Sequence, residues 1–283
     1  MSILERARDF ILREARLIDR RLFEVWFEGG DPRSVLAALR AYQNPDGGFG
    51  HALEADTRTA ASQPLYVEVA LEYMADAGLA DAEMASRACD FLQAVSGPDG
   101  GAPILLPGFE AAAHAAHWRD LDFTPGINPN GGVVGRLYEL GIEHPWRERA
   151  AAFCWAQMDG VDGAHDASEA LIFLEHAPDQ ARAGPAMAKL LQGLPDQRFY
   201  KADPAAEGYG LTPLNYAPSP ESAARALFDD DLIARNLDHL AAEQQADGGW
   251  PIAWEPPSAA AVSEWRGVVT LRALKVLKAY GRI

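Results

Sequence analysis

The chain has 283 residues, 48% of them hydrophobic, enough to bury the core of one large repeat-built domain. Lys and Arg number 25 against 41 Asp and Glu, a formal net charge of −16, so the surface repels phosphate backbones and anionic headgroups and argues against nucleic-acid binding and electrostatic membrane docking. Cys89 and Cys154 lack C-x-x-C spacing and read as small core residues in a reducing, cytoplasmic setting.

The first 30 residues carry charges throughout and no long apolar run, so they do not read as a signal peptide. Ile3, Ala7, Phe10, Ile11, Ile18, Leu22 and Val25 recur at helical spacing, which predicts an amphipathic N-terminal helix over 1–30, packed on the body of a domain spanning 1–283. The same stripe would also suit a lipid surface. No later segment has the roughly 18 consecutive apolar residues of a membrane span.

Internal repeats follow. LAALRAYQNPDGGFG places Leu39, Gln43, Asp46, Gly47, Gly48 and Phe49 in the order that Leu240, Gln244, Asp247, Gly248, Gly249 and Trp250 take in LDHLAAEQQADGGW. A third copy keeps Asp99, Gly100 and Gly101, with Gln93 farther upstream and Ala102 at the aromatic position; a fourth keeps Gln157, Asp162 and Gly163. The chemistry of this repeat is structural. Glycine takes the left-handed conformation that closes a helix, the Asp carboxylate accepts turn N–H groups, and the Gln amide bridges to a neighbouring helix. Helices are expected after each turn, one starting at Ser62 as N-cap with Pro64 in the first turn and stopping before Gly78. Pro and Gly cluster at 97–108, 124–132, 203–220 and 251–258, which read as long loops on one rim. Phe228-Asp229-Asp230-Asp231 reads as the acidic start of a helix.

The Gln-x2-Asp-Gly-Gly-aromatic spacing resembles the QW-type repeat of class II terpenoid cyclases and the G-G-F-G repeat of protein prenyltransferase β-subunits, over residues 34 to 281. The resemblance implies an all-α fold, an α/α toroid of helical hairpins, and a small-molecule ligand, isoprenoid or otherwise apolar, in the central cavity. Catalytic motifs are a different matter. The D-x-D-D of class II cyclases has only Glu54-Ala55-Asp56-Thr57 as an imperfect counterpart; the D-x-C and late His that hold zinc in prenyltransferases, and the D-D-x-x-D of class I synthases, have none. The sequence therefore calls for no cofactor.

The loop from Gly50 to Thr59 is the densest mixture of acid, base and cation. His51 would serve as acid or base, Glu54 and Asp56 as tuned carboxyls and Arg58 as an anion grip; the same residues would equally cap helices and salt-bridge across a rim. Glu110, His114 and His117 share one face if 109–118 is helical, a set of one oxygen and two nitrogens for a metal or, alternatively, ordinary polar rim residues. Trp118, Tyr209, Trp254 and Trp265 lie in or beside the non-repeat loops and would offer faces to a cation or an apolar ligand, or simply pack. Glu264 and Arg266 flank Trp265 as a charge pair, and Asn128-Pro129-Asn130 reads as an ordered loop over a pocket. Three functions fit: acid-catalysed cyclisation or isomerisation, non-catalytic binding of a small molecule or lipid, and saccharide chemistry on an α/α barrel. An apolar closed cavity with a shielded acid favours the first, an open carboxylate-lined groove the last.

Overall fold

A computed structural model describes all 283 residues. Twelve α-helices alternate between an outer and an inner ring: α1 (Ile3–Glu14), α2 (Leu17–Phe27), α3 (Arg33–Leu39), α4 (Pro64–Ala77), α5 (Ala82–Val95), α6 (Ile127–Glu139), α7 (Pro145–Gln157), α8 (Ala164–His176), α9 (Gln180–Gln192), α10 (Pro213–Tyr216), α11 (Asp230–Ala242) and α12 (Ala259–Ala279). The even-numbered helices form the inner ring: α12 packs on α2, then α2 on α4, α4 on α6, α6 on α8 and α8 on α10. This is an α/α toroid. One apolar core runs round it from Ala7 to Leu277, and Cys89 and Cys154 are fully buried within it. No helix is long and apolar enough to cross a membrane.

The Asp-Gly-Gly turns do what their chemistry requires. Asp46, Asp99 and Asp247 each accept the N–H of the second glycine through Oδ1, at 3.0, 3.2 and 3.1 Å. Gly47, Gly100 and Gly248 hold φ near +90° and sit hard against the backbone of an outer helix, at Arg87, Arg149 and Arg6. The next glycine lies on an aromatic ring four residues along that helix: Phe91, Phe153 and Phe10. Gln43 donates to Met84 O and Gln244 to Ile3 O, both at 2.9 Å. Phe49 and Trp250 are buried beneath their turns.

Each turn is thus received by an outer helix that offers Arg-x3-Phe. The last is received by α1, so the N-terminal helix closes the ring rather than decorating it. The segment is also two helices, because the chain reverses at Ala15 and Arg16, where both residues are extended. The fourth copy has no such receiver: Gly163 instead meets the 197–198 segment, its N–H bonded to Gln197 Oε1 at 2.6 Å.

Other expectations are corrected. Ser62 does not cap α4, whose N-cap is Gln63; its hydroxyl bonds Asp46 Oδ1 at 2.7 Å and braces the first turn instead. Residues 127–132 are the start of α6, not a loop, and Asn130 is buried, tying Ala102 and Gly126 to the helix. Gly131 and Gly135 let α6 press on the α8 backbone, where a Cβ would stand 2.6 and 2.5 Å from the Glu169 and Ile172 carbonyls. The end of α4 before Gly78, the loops at 97–108 and 251–258, and the Asp229 cap of α11 match their expectation.

Candidate functional site

The inner helices begin at one mouth of the toroid, and the long loops gather there. Asp56, in the loop that leads into α4, is 5% exposed. Its loop is held in place by backbone pairing with the 112–115 segment: Arg58 N donates to Ala113 O at 2.9 Å and Ala115 N to Asp56 O at 2.7 Å. That pairing requires extended chain, so 109–118 is not a helix but two short 3-10 turns, and Glu110, His114 and His117 do not share a face. His114 turns its Nδ1 to Ala112 O. Only His117 reaches Asp56, with Nε2 3.5 Å from Oδ2. No group of three His, Cys, Asp or Glu side chains is arranged to hold a metal ion.

Asp56 Oδ1 accepts two indole N–H groups, from Trp265 at 2.8 Å and Trp254 at 3.1 Å. Those donors occupy Oδ1, so a proton on this carboxyl belongs on Oδ2, the oxygen that faces His117. Burial raises the Asp56 pKa; the indoles and His117 pull partly the other way. Burial lowers that of His117, against the pull of Asp56. Glu54 is buried behind, its Oε2 accepting the Asp56 N–H at 3.1 Å, and its carboxyl is pushed well above the ordinary range by burial and then by Asp56.

An aromatic wall continues from the indoles. Trp254 meets Trp265 edge-on at 5.0 Å and Tyr209 edge-on at 5.8 Å; Tyr209 stacks on His165 at 5.7 Å and bonds its Nε2 at 2.7 Å. Trp118 lies against His117 at 4.7 Å with its indole N–H buried and unpartnered.

Several expected site residues lie elsewhere or do other work. His51 is exposed, in the left-handed region, and bonds Asn44 Oδ1 at 3.0 Å, away from Asp56. Arg58 is spent on a two-toothed pair with Glu264, which ties the loop to α12 and leaves no free grip for an anion. Arg266 belongs to the last repeat turn, bonding Asp247 at 2.7 Å and Gln245 at 2.7 Å, and α12 has begun well before it, at Ala259. Asn128 is in the first turn of α6, and no side-chain contact ties it to Asp56.

Below the mouth the ring is charged rather than apolar. Glu68, Glu72 and Asp76 descend one face of α4 at intervals of four, and Glu169 follows His165 by four on α8. Arg272 Nη2 spans both Glu72 oxygens at 2.9 Å, and Lys275 reaches Asp76 at 2.5 Å. Arg272, 53% exposed, lines a hollow with Glu72, Asp76 and Trp265. Periodicity carried this signal, since three acids at spacing four mark an otherwise apolar helix. His165 had no sequence mark beyond its type.

No protein-family model matches the chain, and no curated protein is similar to it in sequence. Solved structures do resemble it. A protein from Actinoplanes is 16% identical, covering 99% of this chain and 98% of that one, with a TM-score of 0.54. A type II terpene cyclase from Scytonema, MstE, solved as an arginine-to-alanine variant with its substrate geranylgeranyl dihydroxybenzoate, is 13% identical over 98% of this chain and 97% of that one, with a TM-score of 0.55. The fold is terpene-cyclase-like. At these identities the likeness is one of fold, and fold does not carry activity with it.

Proposed function

We propose that this single toroid is an acid–base catalyst that isomerises or cyclises an unsaturated small molecule, with Asp56 as proton donor. The observation that carries the reading is the clasp on Asp56: two indole donors on Oδ1, His117 at Oδ2 and burial around both. Asp56 Oδ2 gives its proton to an alkene carbon, forming a C–H bond and leaving a carbocation. The faces of Trp254, Trp265 and Tyr209 stabilise that cation through their ring quadrupoles. Loss of a neighbouring proton to the carboxylate gives the product and restores the acid. His117, 48% exposed, links Oδ2 to solvent and resets the proton when the product leaves by another route. Glu54 positions Asp56 by accepting its backbone N–H.

The ligand of the Scytonema cyclase, a prenyl chain on an aromatic head, supports an isoprenoid-like tail against this wall. The test is to incubate the protein with geranylgeranyl dihydroxybenzoate and shorter prenylated phenols in deuterated water. Isomerised or cyclised product carrying one solvent deuteron, absent with Asp56→Asn, is expected. Product formed equally well by Asp56→Asn would overturn the assignment.

A second reading draws support from the hollow below. Clustered carboxylates are what saccharide chemistry uses, with tryptophan faces as platforms. Release of reducing sugar from an oligosaccharide panel, with no change in prenylated substrates, would favour it.

A further inference from the structure

The carboxylates of the ring centre outnumber their partners. Glu72 takes Arg272, Asp76 takes Lys275 and Glu139 takes Arg136. Glu68 and Glu169 are left over. Glu68 is 8% exposed and makes neither a hydrogen bond nor an ion pair, and Glu169 Oε2 is buried without a donor. The two converge on α6 at Gly132, where a Cβ would overlap Glu169 Oε2 and stand 3.0 Å from Glu68 Cγ. Glycine at this position leaves room for the Glu169 carboxyl against α6, beside Glu68.

Apolar side chains would fill these positions at lower cost to the fold, since buried carboxyls without donors are destabilising. The missing component is a set of N–H donors carrying positive charge. Glu169 is also linked to the aromatic wall. Glu169 lies one helical turn below His165, which bonds Tyr209, and Tyr209 borders Trp254.

We infer that Glu68 and Glu169 seat a primary ammonium group, the polar end of a ligand whose apolar part lies against Trp254, Trp265 and Tyr209. This rests on the ligand lying against the aromatic wall, as in the proposed reaction, but not on proton transfer at Asp56. A primary ammonium supplies up to three N–H donors, whereas a quaternary one supplies none. Burial, then neighbouring acids, push both carboxyls upward, Glu68 to about 8. The groups facing them are Glu72 and Asp76 from α4, Arg136 from α6 and Arg272 from α12. Binding an ammonium therefore expels a proton, and affinity rises with pH between 6 and 9.

Calorimetric titration with hexylamine, hexyltrimethylammonium, 1-hexanol and hexanoate tests this. Hexylamine should bind at least about tenfold tighter than the other three, with a heat that depends on the buffer's ionisation enthalpy because a proton is released. Glu68→Gln and Glu169→Gln, close in shape to the native residues, should each erase most of that preference. Asp56→Asn should keep it, so a failed reaction and a failed ammonium seat are distinguishable. Absence of hexylamine binding, equal affinity for hexanol, or a preference that survives both glutamine variants would overturn the assignment. If a variant does not fold, the proton release and amine preference of the unaltered protein decide.

Discussion

The Nε1–H of Trp265, in the second turn of α12, donates to Asp56 Oδ1 at 2.8 Å across 209 residues of chain. Ring closure brings the two together, because α12 packs on α1 and α2 and so returns the end of the chain to its beginning. Trp265→Phe keeps most of the packing and removes one donor from the carboxylate. The Asp56 pKa should then rise further, and stability should fall by about 1 kcal/mol. The Asp56 carboxyl resonance followed by NMR across pH, together with a denaturant melt, measures both; an unchanged titration would show that the indole does not tune the acid.

His51 and His117 should separate. His51→Ala removes an exposed contact to Asn44 and should leave product formation unchanged, with stability altered by about 0.5 kcal/mol or less. His117→Ala cuts the link between Asp56 Oδ2 and solvent and should slow turnover roughly tenfold to a hundredfold. Turnover assays on prenylated phenols, with thermal melts as controls for folding, compare them.

Stability should fall as pH rises through the neutral range. Glu68 has a folded pKa of about 8 against an ordinary 4.5, and Glu169 is shifted the same way. Between those values the folded chain holds protons that the unfolded chain has released. Its contribution is complete below pH 4.5 and is lost as pH climbs through 8. The expected fall in Tm between pH 5 and 8.5 is roughly 5 °C or more, and Glu68→Gln should flatten it. A Tm that climbs over the same range, in both proteins, contradicts this account.

The closing turn should be intolerant of side chains. Gly248→Ala places a methyl group on the Arg6 carbonyl at φ +97° and should cost about 3 kcal/mol or more. Gly281→Ala, at φ +65° in open space, bears only the backbone strain and should cost about 1 kcal/mol. Removal of residues 1–14 deletes the helix that receives this turn and should broaden the melt. Calorimetry of the three variants orders them.

The rings and their turns were legible because they depend on local chemistry. Asp46, Gly47 and Gly48 specify a turn from within four residues, and the Leu-x3-Gln spacing that precedes them is a helix face. Even the receiving helices had a written mark, Arg-x3-Phe at 6–10, 87–91 and 149–153, visible once the turn is known to need a backbone and a ring to lie on. The site was half legible. Asp56, Glu54, Trp254 and Trp265 were singled out by type and crowding, but His51 and Asp56 are only five residues apart and face opposite ways.

What the sequence determined by itself is the α/α toroid, because its repeat writes each turn and each apolar face locally. Tertiary structure alone decided which polar residues meet: His117 rather than His51 at Asp56, Arg58 spent on Glu264, Glu68 left without a partner beside Glu169. Pairing across a ring depends on which helices adjoin after closure and on how deep each residue sits along them. Neither quantity has a local signature, since an acid on a helix costs nothing until a particular neighbour removes its water.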